Sequence, residues 1–146
     1  MAYDREQFRD LIRRTLRQYR IDTESAVNLL LGTAAVESGF GTFLRQKGHG
    51  PALGAFQMEP ATFADLRGRF VSRFPFLLEA RVEQLETNIS LAIIMARIKY
   101  LSISAPLPDA LDVEGLGGYW KNFYNSPAGA GTVEGFIEAW HRYVKL

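Results

Sequence analysis

The sequence predicts a mainly α-helical fold in a single domain, for three reasons. No segment of the 146 residues alternates apolar and polar side chains as a half-buried strand does. Several segments instead repeat apolar residues every three or four positions, which is the spacing of a helix with one buried face. Glycine and proline are concentrated between these segments, and no low-complexity tract or linker divides the chain. We therefore expect one domain over residues 1–146.

Two helices are predicted in the first quarter of the chain. Residues 3–19 carry one apolar stripe, formed by Phe8, Leu11, Ile12, Leu16 and Tyr19. A second helix is expected to start at Asp22 or Thr23, and residues 26–36 are almost entirely apolar. A helix that is apolar on most sides is a buried one. Glu37, at the end of this helix, is therefore not expected to be an ordinary surface acid.

A loop and two further helices are predicted in the middle of the chain. Five glycines and Pro51 break residues 39–54 into a loop or a short hairpin. Pro60 suits the first turn of a helix, which we expect to continue over residues 61–72. A single long helix is expected over residues 82–101, with its most apolar part in the centre of the core.

The last third is predicted to contain a surface connection and a closing helix. Pro106, Pro108 and the glycines at 115, 117 and 118 indicate a connection around one short helical turn. Thr132 is a suitable cap for a helix over residues 132–144. Its buried stripe is expected to consist of Phe136, Ile137, Trp140 and Val144.

Composition argues against several kinds of site. The chain has no Cys, so neither a disulfide nor a thiolate metal site is available, and His49 and His141 are too far apart to indicate a metal. A net charge of +1 is too small to indicate nucleic-acid binding. No apolar run reaches eighteen residues, so no membrane insertion is expected. We expect a monomer without metal or cofactor.

Residues 34–62 contain the side chains best suited to chemistry. Glu37 ends an apolar helix and is followed by a turn at Ser38 and Gly39. Partial burial among apolar side chains raises the pKa of a carboxyl group, so that it can donate a proton near neutral pH. Cleavage of a glycosidic bond requires such a donor.

Three motifs in this order resemble those of the soluble lytic transglycosylase and goose-type lysozyme families. Glu37-Ser38-Gly39 is similar to their Glu-Ser motif. About twenty residues later, residues 54–62, GAFQMEPAT, resemble their Gly-Leu-Met-Gln-x-x-Pro-Ala-Thr motif. Residues 123–129, FYNSPAG, resemble their late Ala-Tyr-Asn-Ala-Gly signature. The resemblance implies a lysozyme-like helical fold with a loop or small hairpin lining a cleft.

The resemblance also implies an activity, which is cleavage of the bond between N-acetylmuramic acid and N-acetylglucosamine in peptidoglycan. Glu37 would be the general acid and base. Gln57 would bind sugar amides and hydroxyls, since a buried amide needs partners. Phe56 offers a flat apolar face for a pyranose ring. The remaining substrate contacts would come from Ser38, Tyr124 and Asn125.

Two mechanisms and a non-enzymatic role remain open. Residues 38–56 contain no Asp or Glu, which favours a single-acid lytic transglycosylase that leaves a 1,6-anhydro end. Glu59 lies where goose-type lysozymes carry an Asp linked to water activation, so a hydrolytic muramidase is the alternative. Glu59 could equally be the acid at the start of a helix. A non-catalytic wall-binding or structural domain is the alternative outside enzymes.

The N-terminal segment bears on where such an enzyme would act. Residues 1–14 are charged throughout and lack an apolar central region, so they do not read as a signal peptide. We expect synthesis in the cytoplasm and delivery to periplasmic peptidoglycan by another component, such as a holin, a virion or a secretion system. A phage endolysin or a virion-associated enzyme fits this expectation.

Overall fold

The computed structural model describes residues 3–145, and over this range the chain is mainly helical, as predicted. The α-helices are α1 (Arg5–Arg17), α2 (Glu24–Ser38), α3 (Pro60–Phe70), α4 (Gln84–Thr87), α5 (Ile89–Leu101), α6 (Val113–Trp120) and α7 (Val133–Ala139). A 3-10 helix spans Pro75–Glu79, and π-helical turns follow α6 over Lys121–Asn125 and α7 over Trp140–Val144.

The buried side chains form one hydrophobic core around α2 and α5. Residues 26–35 of α2 and 91–98 of α5 are buried without interruption. Helix α1 packs against both, and α6 and α7 cover the other side of α2. At Gly32 the helices approach so closely that a Cβ would lie 2.2 Å from the Phe136 ring. A side chain at position 32 would therefore push α7 away from α2.

Polar side chains mark the helix starts, and two of the predicted ones are confirmed. The Thr23 side chain accepts a hydrogen bond from the Ala26 amide at the start of α2. Thr132 accepts one from the Gly135 amide at the start of α7. Such caps satisfy amides that have no partner within the helix. At the other end of α2, Gly39 has a left-handed backbone with φ of 58°, which ends the helix directly after Ser38.

Two details of the predicted helices were wrong. The single helix expected over residues 82–101 is interrupted at Asn88, whose extended backbone (φ −123°, ψ 99°) separates α4 from α5. Its side chain accepts a hydrogen bond from the Leu91 amide, because Asn competes with the helical ladder and favours a helix start. The glycines at 115–118 lie inside α6 rather than in a surface connection, and Gly117 packs against Phe136.

The predicted loop after α2 is held by isolated pairings rather than by strands. Leu53 forms antiparallel bridges with Arg45 and with Met58, and no longer strand occurs in residues 3–145. Gly54 follows with φ of 85° and packs against α4, where a Cβ would lie 2.1 Å from the Leu85 carbonyl oxygen. Glycine is the residue that fits both constraints.

The same range bears on the membrane expectation. None of the helices between residues 3 and 145 has the length and apolar character needed to span a bilayer.

Candidate active site

Glu37 lies in the last turn of α2 and lines a cleft of about 360 Å³. Its side chain is half-buried. The cleft lies between the end of α2, the loop at 43–57, the start of α3 and the π turn after α6. It is lined by Glu37, Phe43, Gln46, Lys47, Ala52, Gln57, Glu59, Thr62, Lys99, Tyr124 and Asn125. Residues from all three motifs of the sequence analysis therefore line the same cleft.

The surroundings of Glu37 keep a proton available near neutral pH. Burial raises the pKa of Glu37 to about 7, against its ordinary value of 4.5. A hydrogen bond from Trp120 Nε1 to Glu37 Oε2, 3.0 Å long, and the positive charge of Lys99 act in the opposite direction, because both stabilise the carboxylate. At pH 7 the group is therefore present in both protonation states, which suits a residue that gives a proton and takes one back.

Lys99 is a cleft residue that the sequence analysis missed. Its Nζ donates to the Tyr124 carbonyl at 2.8 Å and lies 4.0 Å from the centre of the Tyr124 ring. Burial lowers the pKa of Lys99, while the nearby Glu37 and Glu59 raise it. The available signal was a lysine in the mostly apolar helix α5, since a charge in such a position is costly unless it has a partner.

Trp120 belongs to the core and is only 2% exposed. Its ring packs against Phe136 with centroids 5.8 Å apart, so the indole is held in place from behind. The indole N–H is the polar atom that contacts Glu37. Sequence spacing does not predict this contact, because 83 residues separate the two partners.

Ser38 does not face the cleft, contrary to expectation, and is fully buried. Its Oγ accepts a hydrogen bond from the Gly41 amide at 2.8 Å and lies 2.5 Å from the Ala55 carbonyl oxygen, to which it donates. The side chain therefore joins the end of α2 to the second motif. Its position supports the cleft and leaves no surface for a substrate.

Phe56 also departs from the expectation. The ring is 1% exposed and packs towards Phe8, with centroids 6.4 Å apart, so it belongs to the core and offers no face to a sugar. Its backbone has a separate role, because the Tyr124 hydroxyl donates to the Phe56 carbonyl at 2.6 Å. The second and third motifs are thus joined directly.

Gln57 lies on the cleft wall, where the resemblance places it. Its backbone is left-handed, with φ of 47°, a conformation that a non-glycine residue adopts at a local cost. The side-chain Nε2 donates to the Gly54 carbonyl at 3.0 Å. The amide therefore both braces its own turn and lines the cleft.

Tyr124 and Asn125 both line the cleft, in the π turn that follows α6. Tyr124 is 5% exposed, and its ring forms part of the cleft floor beneath the Lys99 ammonium. Asn125 is half-buried and accepts a hydrogen bond from Lys121 Nζ at 3.0 Å. π turns are rare and are often found at functional sites.

Glu59 is exposed and lines the same cleft as Glu37. It occupies the capping position before Pro60, at the start of α3, but its side chain makes no capping hydrogen bond. Its negative charge still lies near the amides of the first turn, which is a favourable place for it. The carboxylate is thus free to meet solvent or a ligand.

Two further findings concern similar proteins and metal binding. No protein-family model matches the chain, and comparisons with curated proteins and with solved structures also find no match. The resemblance to lytic transglycosylases therefore depends on the three motifs alone. Within residues 3–145, no group of three or more His, Asp or Glu side chains could hold a metal ion.

Proposed function

We propose that the protein cleaves the β-1,4 bond between N-acetylmuramic acid and N-acetylglucosamine in peptidoglycan, with Glu37 as general acid and base. One observation carries the proposal: a half-buried carboxyl group opens into a polar cleft and has a pKa raised to about 7. A structural carboxylate at a helix end would not need to be desolvated in this way. Strongly shifted pKa values are common at catalytic sites.

In the proposed reaction, protonated Glu37 donates to the glycosidic oxygen as the bond to the anomeric carbon breaks. The 6-hydroxyl of the muramic residue then attacks this carbon and gives its proton to the Glu37 carboxylate. The products are a free 4-hydroxyl and a 1,6-anhydro end, and the enzyme returns to its protonated state. No water is consumed.

Two contacts support this exchange of a proton. The Trp120 N–H and the Lys99 ammonium stabilise the Glu37 carboxylate while it waits for the second proton. Trp120 is locked between Glu37 and Phe136, and Lys99 is fixed by Tyr124. The carboxylate is therefore held by two groups that other contacts already keep in place, which favours electrostatic stabilisation without further rearrangement.

Hydrolysis is the second candidate, and one observation favours it. Glu59 is exposed in the same cleft and is not used by a capping hydrogen bond. As a carboxylate it could activate a water molecule on the opposite face of the sugar, as the base does in inverting glycosidases. A non-catalytic wall-binding domain remains the alternative outside enzymes, but it leaves the desolvation of Glu37 without a purpose.

The test is digestion of purified Gram-negative peptidoglycan with wild type, Glu37→Gln and Glu59→Gln, followed by mass spectrometry of the muropeptides. Products lighter by one water and resistant to borohydride, lost only in Glu37→Gln, are the expected result. Reducing ends that are lost in either variant would replace transglycosylation by hydrolysis with Glu59 as second carboxylate. Equal digestion by wild type and Glu37→Gln, or none by any of them, would overturn the catalytic proposal.

The proposed place of action is periplasmic peptidoglycan, with a holin, a virion or a secretion system providing access. A phage endolysin or a virion-associated enzyme is the corresponding biological role. Expression of the chain in the cytoplasm of a Gram-negative host, with and without a co-expressed holin, tests this part. Lysis only with the holin is expected, and lysis without it would contradict the need for delivery.

A further inference from the structure

A second cavity, of about 480 Å³, shares no lining residue with the cleft. It lies between the end of α1, the 3-10 helix at Pro75–Glu79, α4 and the start of α5. We call it the aromatic cavity, because Tyr19 and Phe76 form one of its walls. The reaction proposed for Glu37 makes no use of it.

The two aromatic side chains of the wall are unusually exposed to solvent. Tyr19 and Phe76 are 37% and 36% exposed, although most aromatic rings of the described chain are in the core. The two rings lie 5.6 Å apart at an interplanar angle of 35°, and buried Phe74 supports both from behind. They therefore present a braced, apolar surface of the size of a sugar ring.

The rest of the lining combines three apolar residues, Ala80, Leu91 and Ile94, with polar groups that are nearly neutral in total. Its hydrogen-bonding groups are mainly amides and hydroxyls, supplied by Thr15, Gln18, Gln84, Asn88 and Ser90. Asn88 and Gln84 each use their side-chain oxygen on a local amide, which orients the amide group. Glu79 and Arg81 are the charged lining residues, and their charges cancel. This chemistry suits an uncharged ligand with many hydroxyl and acetamide groups better than a phosphate or an anionic lipid.

Helix α4 contacts both the aromatic cavity and the loop after α2 that supplies part of the cleft lining. Arg45 Nε of this loop pairs with Glu86 of α4 at 2.9 Å, and Gly54 packs against the Leu85 carbonyl. Gln84 of the same short helix lines the aromatic cavity. The two sites are therefore connected through one short helix and the loop packed against it.

We propose that the aromatic cavity is a second, non-catalytic glycan site that binds N-acetylated sugar units of the polymer outside the cleft. The identity of the glycan rests on the function proposed above, whereas the chemical class of the ligand rests on the lining. A second contact with the same polymer raises the effective concentration of the chain at the cleft. Its effect should appear with long, insoluble substrate and vanish with short fragments.

The binding test is an NMR titration of ¹⁵N-labelled Glu37→Gln protein with the tetramer of N-acetylglucosamine. Two groups of amide shifts are expected, one around Gln57 and Asn125 and one around Gln18 and Gln84. With Phe76→Ala added, the dissociation constant from the second group of shifts should rise about fivefold, because stacking on an aromatic ring contributes about 1 kcal/mol. The dissociation constant from the first group should not change. Adding Ser90→Tyr, which fills the cavity without removing core, should abolish the second group.

Leu111→Ala provides the matched control, because Leu111 is 84% exposed and lines neither site. It should change the dissociation constants from both groups of shifts by less than about twofold. On intact sacculi, Phe76→Ala in the otherwise wild-type enzyme should slow release of soluble fragments about fivefold, while cleavage of short soluble glycans is unchanged.

The outcomes separate the two proposals. Shifts confined to the cleft, or equal loss with Leu111→Ala, overturn the second site and leave the cleft proposal standing. Shifts confined to the aromatic cavity support the second site and count against glycan binding at Glu37. If neither group shifts, the second site is overturned, and the muropeptide analysis decides the catalytic proposal independently.

Discussion

The two carboxylates of the cleft, Glu37 and Glu59, have the same chemistry but opposite surroundings. Glu37 ends the buried helix α2, is half-buried and receives a hydrogen bond from the Trp120 indole. Glu59 starts α3, is exposed and makes no capping hydrogen bond. Desolvation disfavours the charged form of a carboxyl group, and at the end of the core helix α2 it raises the pKa of Glu37 to about 7.

The largest expected effect is on activity when Glu37 is made unable to donate a proton. Glu37→Gln keeps the size of the side chain and an oxygen that can accept from Trp120, so the cleft should be unchanged. We expect kcat on peptidoglycan to fall roughly a thousandfold, in the range found for loss of a general acid. Turbidity of purified sacculi gives the rate. Glu134→Gln, at an exposed position outside the cleft, should match wild type; a similar loss there would point to a non-specific effect.

The second prediction concerns stability and its dependence on pH. Because the pKa of Glu37 is raised from 4.5 to about 7 by folding, the native protein binds this proton more tightly than the unfolded chain does. The stabilisation is present below pH 4.5 and is lost as the pH rises through 7. Glu37→Gln avoids this loss, so at pH 8.5 it should unfold with a free energy up to about 3 kcal/mol above that of wild type.

Urea unfolding at pH 4.5 and pH 8.5 measures this difference. Near pH 4.5 the two proteins should differ little, because Glu37 is protonated in the native state and its ionisation carries no penalty. Equal differences at both pH values would contradict the assignment of the raised pKa to Glu37.

Ser38→Ala tests the hydrogen bonds that hold the end of α2, next to Glu37, against the second motif. The substitution leaves the Gly41 amide and the Ala55 carbonyl without the hydroxyl that now serves both. An unsatisfied buried group costs about 1–3 kcal/mol, so we expect a loss of about 2 kcal/mol in urea unfolding. Ser72→Ala, at an exposed site, serves as control. A loss of binding without a loss of stability would instead return Ser38 to a substrate role.

Trp120→Phe should move the pH dependence of activity. The indole hydrogen bond lowers the pKa of Glu37, so its removal should raise that pKa and shift the alkaline limb of kcat/KM to higher pH. The alkaline limb itself is expected because kcat/KM falls above pH 7 as Glu37 loses the proton that it must donate. The profile is measured on soluble peptidoglycan fragments, with Trp140→Phe as control, because Trp140 lines no part of the cleft. A limb that stays in place would exclude Trp120 as a positioning residue for Glu37.

The smallest effect is expected at Glu59. If transglycosylation is the reaction, Glu59→Gln should change kcat/KM by less than about threefold, because an exposed carboxylate contributes little unless it takes part in proton transfer. Initial rates on sacculi, measured beside Glu37→Gln, decide the point. A loss comparable to that of Glu37→Gln would remove the contrast between the two carboxylates.

Local signals predicted most of the fold. The apolar run before Glu37 and the caps at Thr23 and Thr132 depend on neighbours in sequence, and these predictions were confirmed. The break at Asn88 was missed because an Asn within an apolar pattern can either continue the helix or start a new one. Packing of α4 against Gly54 is a tertiary contact that no local pattern contains.

The candidate site was predictable to the extent that a helix end defines it. Glu37, Gln57, Glu59, Tyr124 and Asn125, which belong to the three motifs, all line the cleft. The inward orientation of Ser38 and Phe56 follows from the left-handed turn at Gly39 and from core packing. The contacts of Trp120 and Lys99 join distant parts of the chain and could not be derived from spacing. The lysozyme-like character of the fold stays a prediction.

The π turn over Lys121–Asn125 fixes the number of residues between α6 and the cleft. A π turn is an α-helical turn with one additional residue, so it has the effect of a single-residue insertion. Each residue of an α-helix turns the chain by about 100°. Deletion of Asn122, which lines no part of the cleft, would therefore rotate Tyr124 away from Lys99 and from the Phe56 carbonyl, although every side chain of the cleft was still encoded. The arrangement of the cleft therefore depends on the number of residues in this turn as well as on their identity.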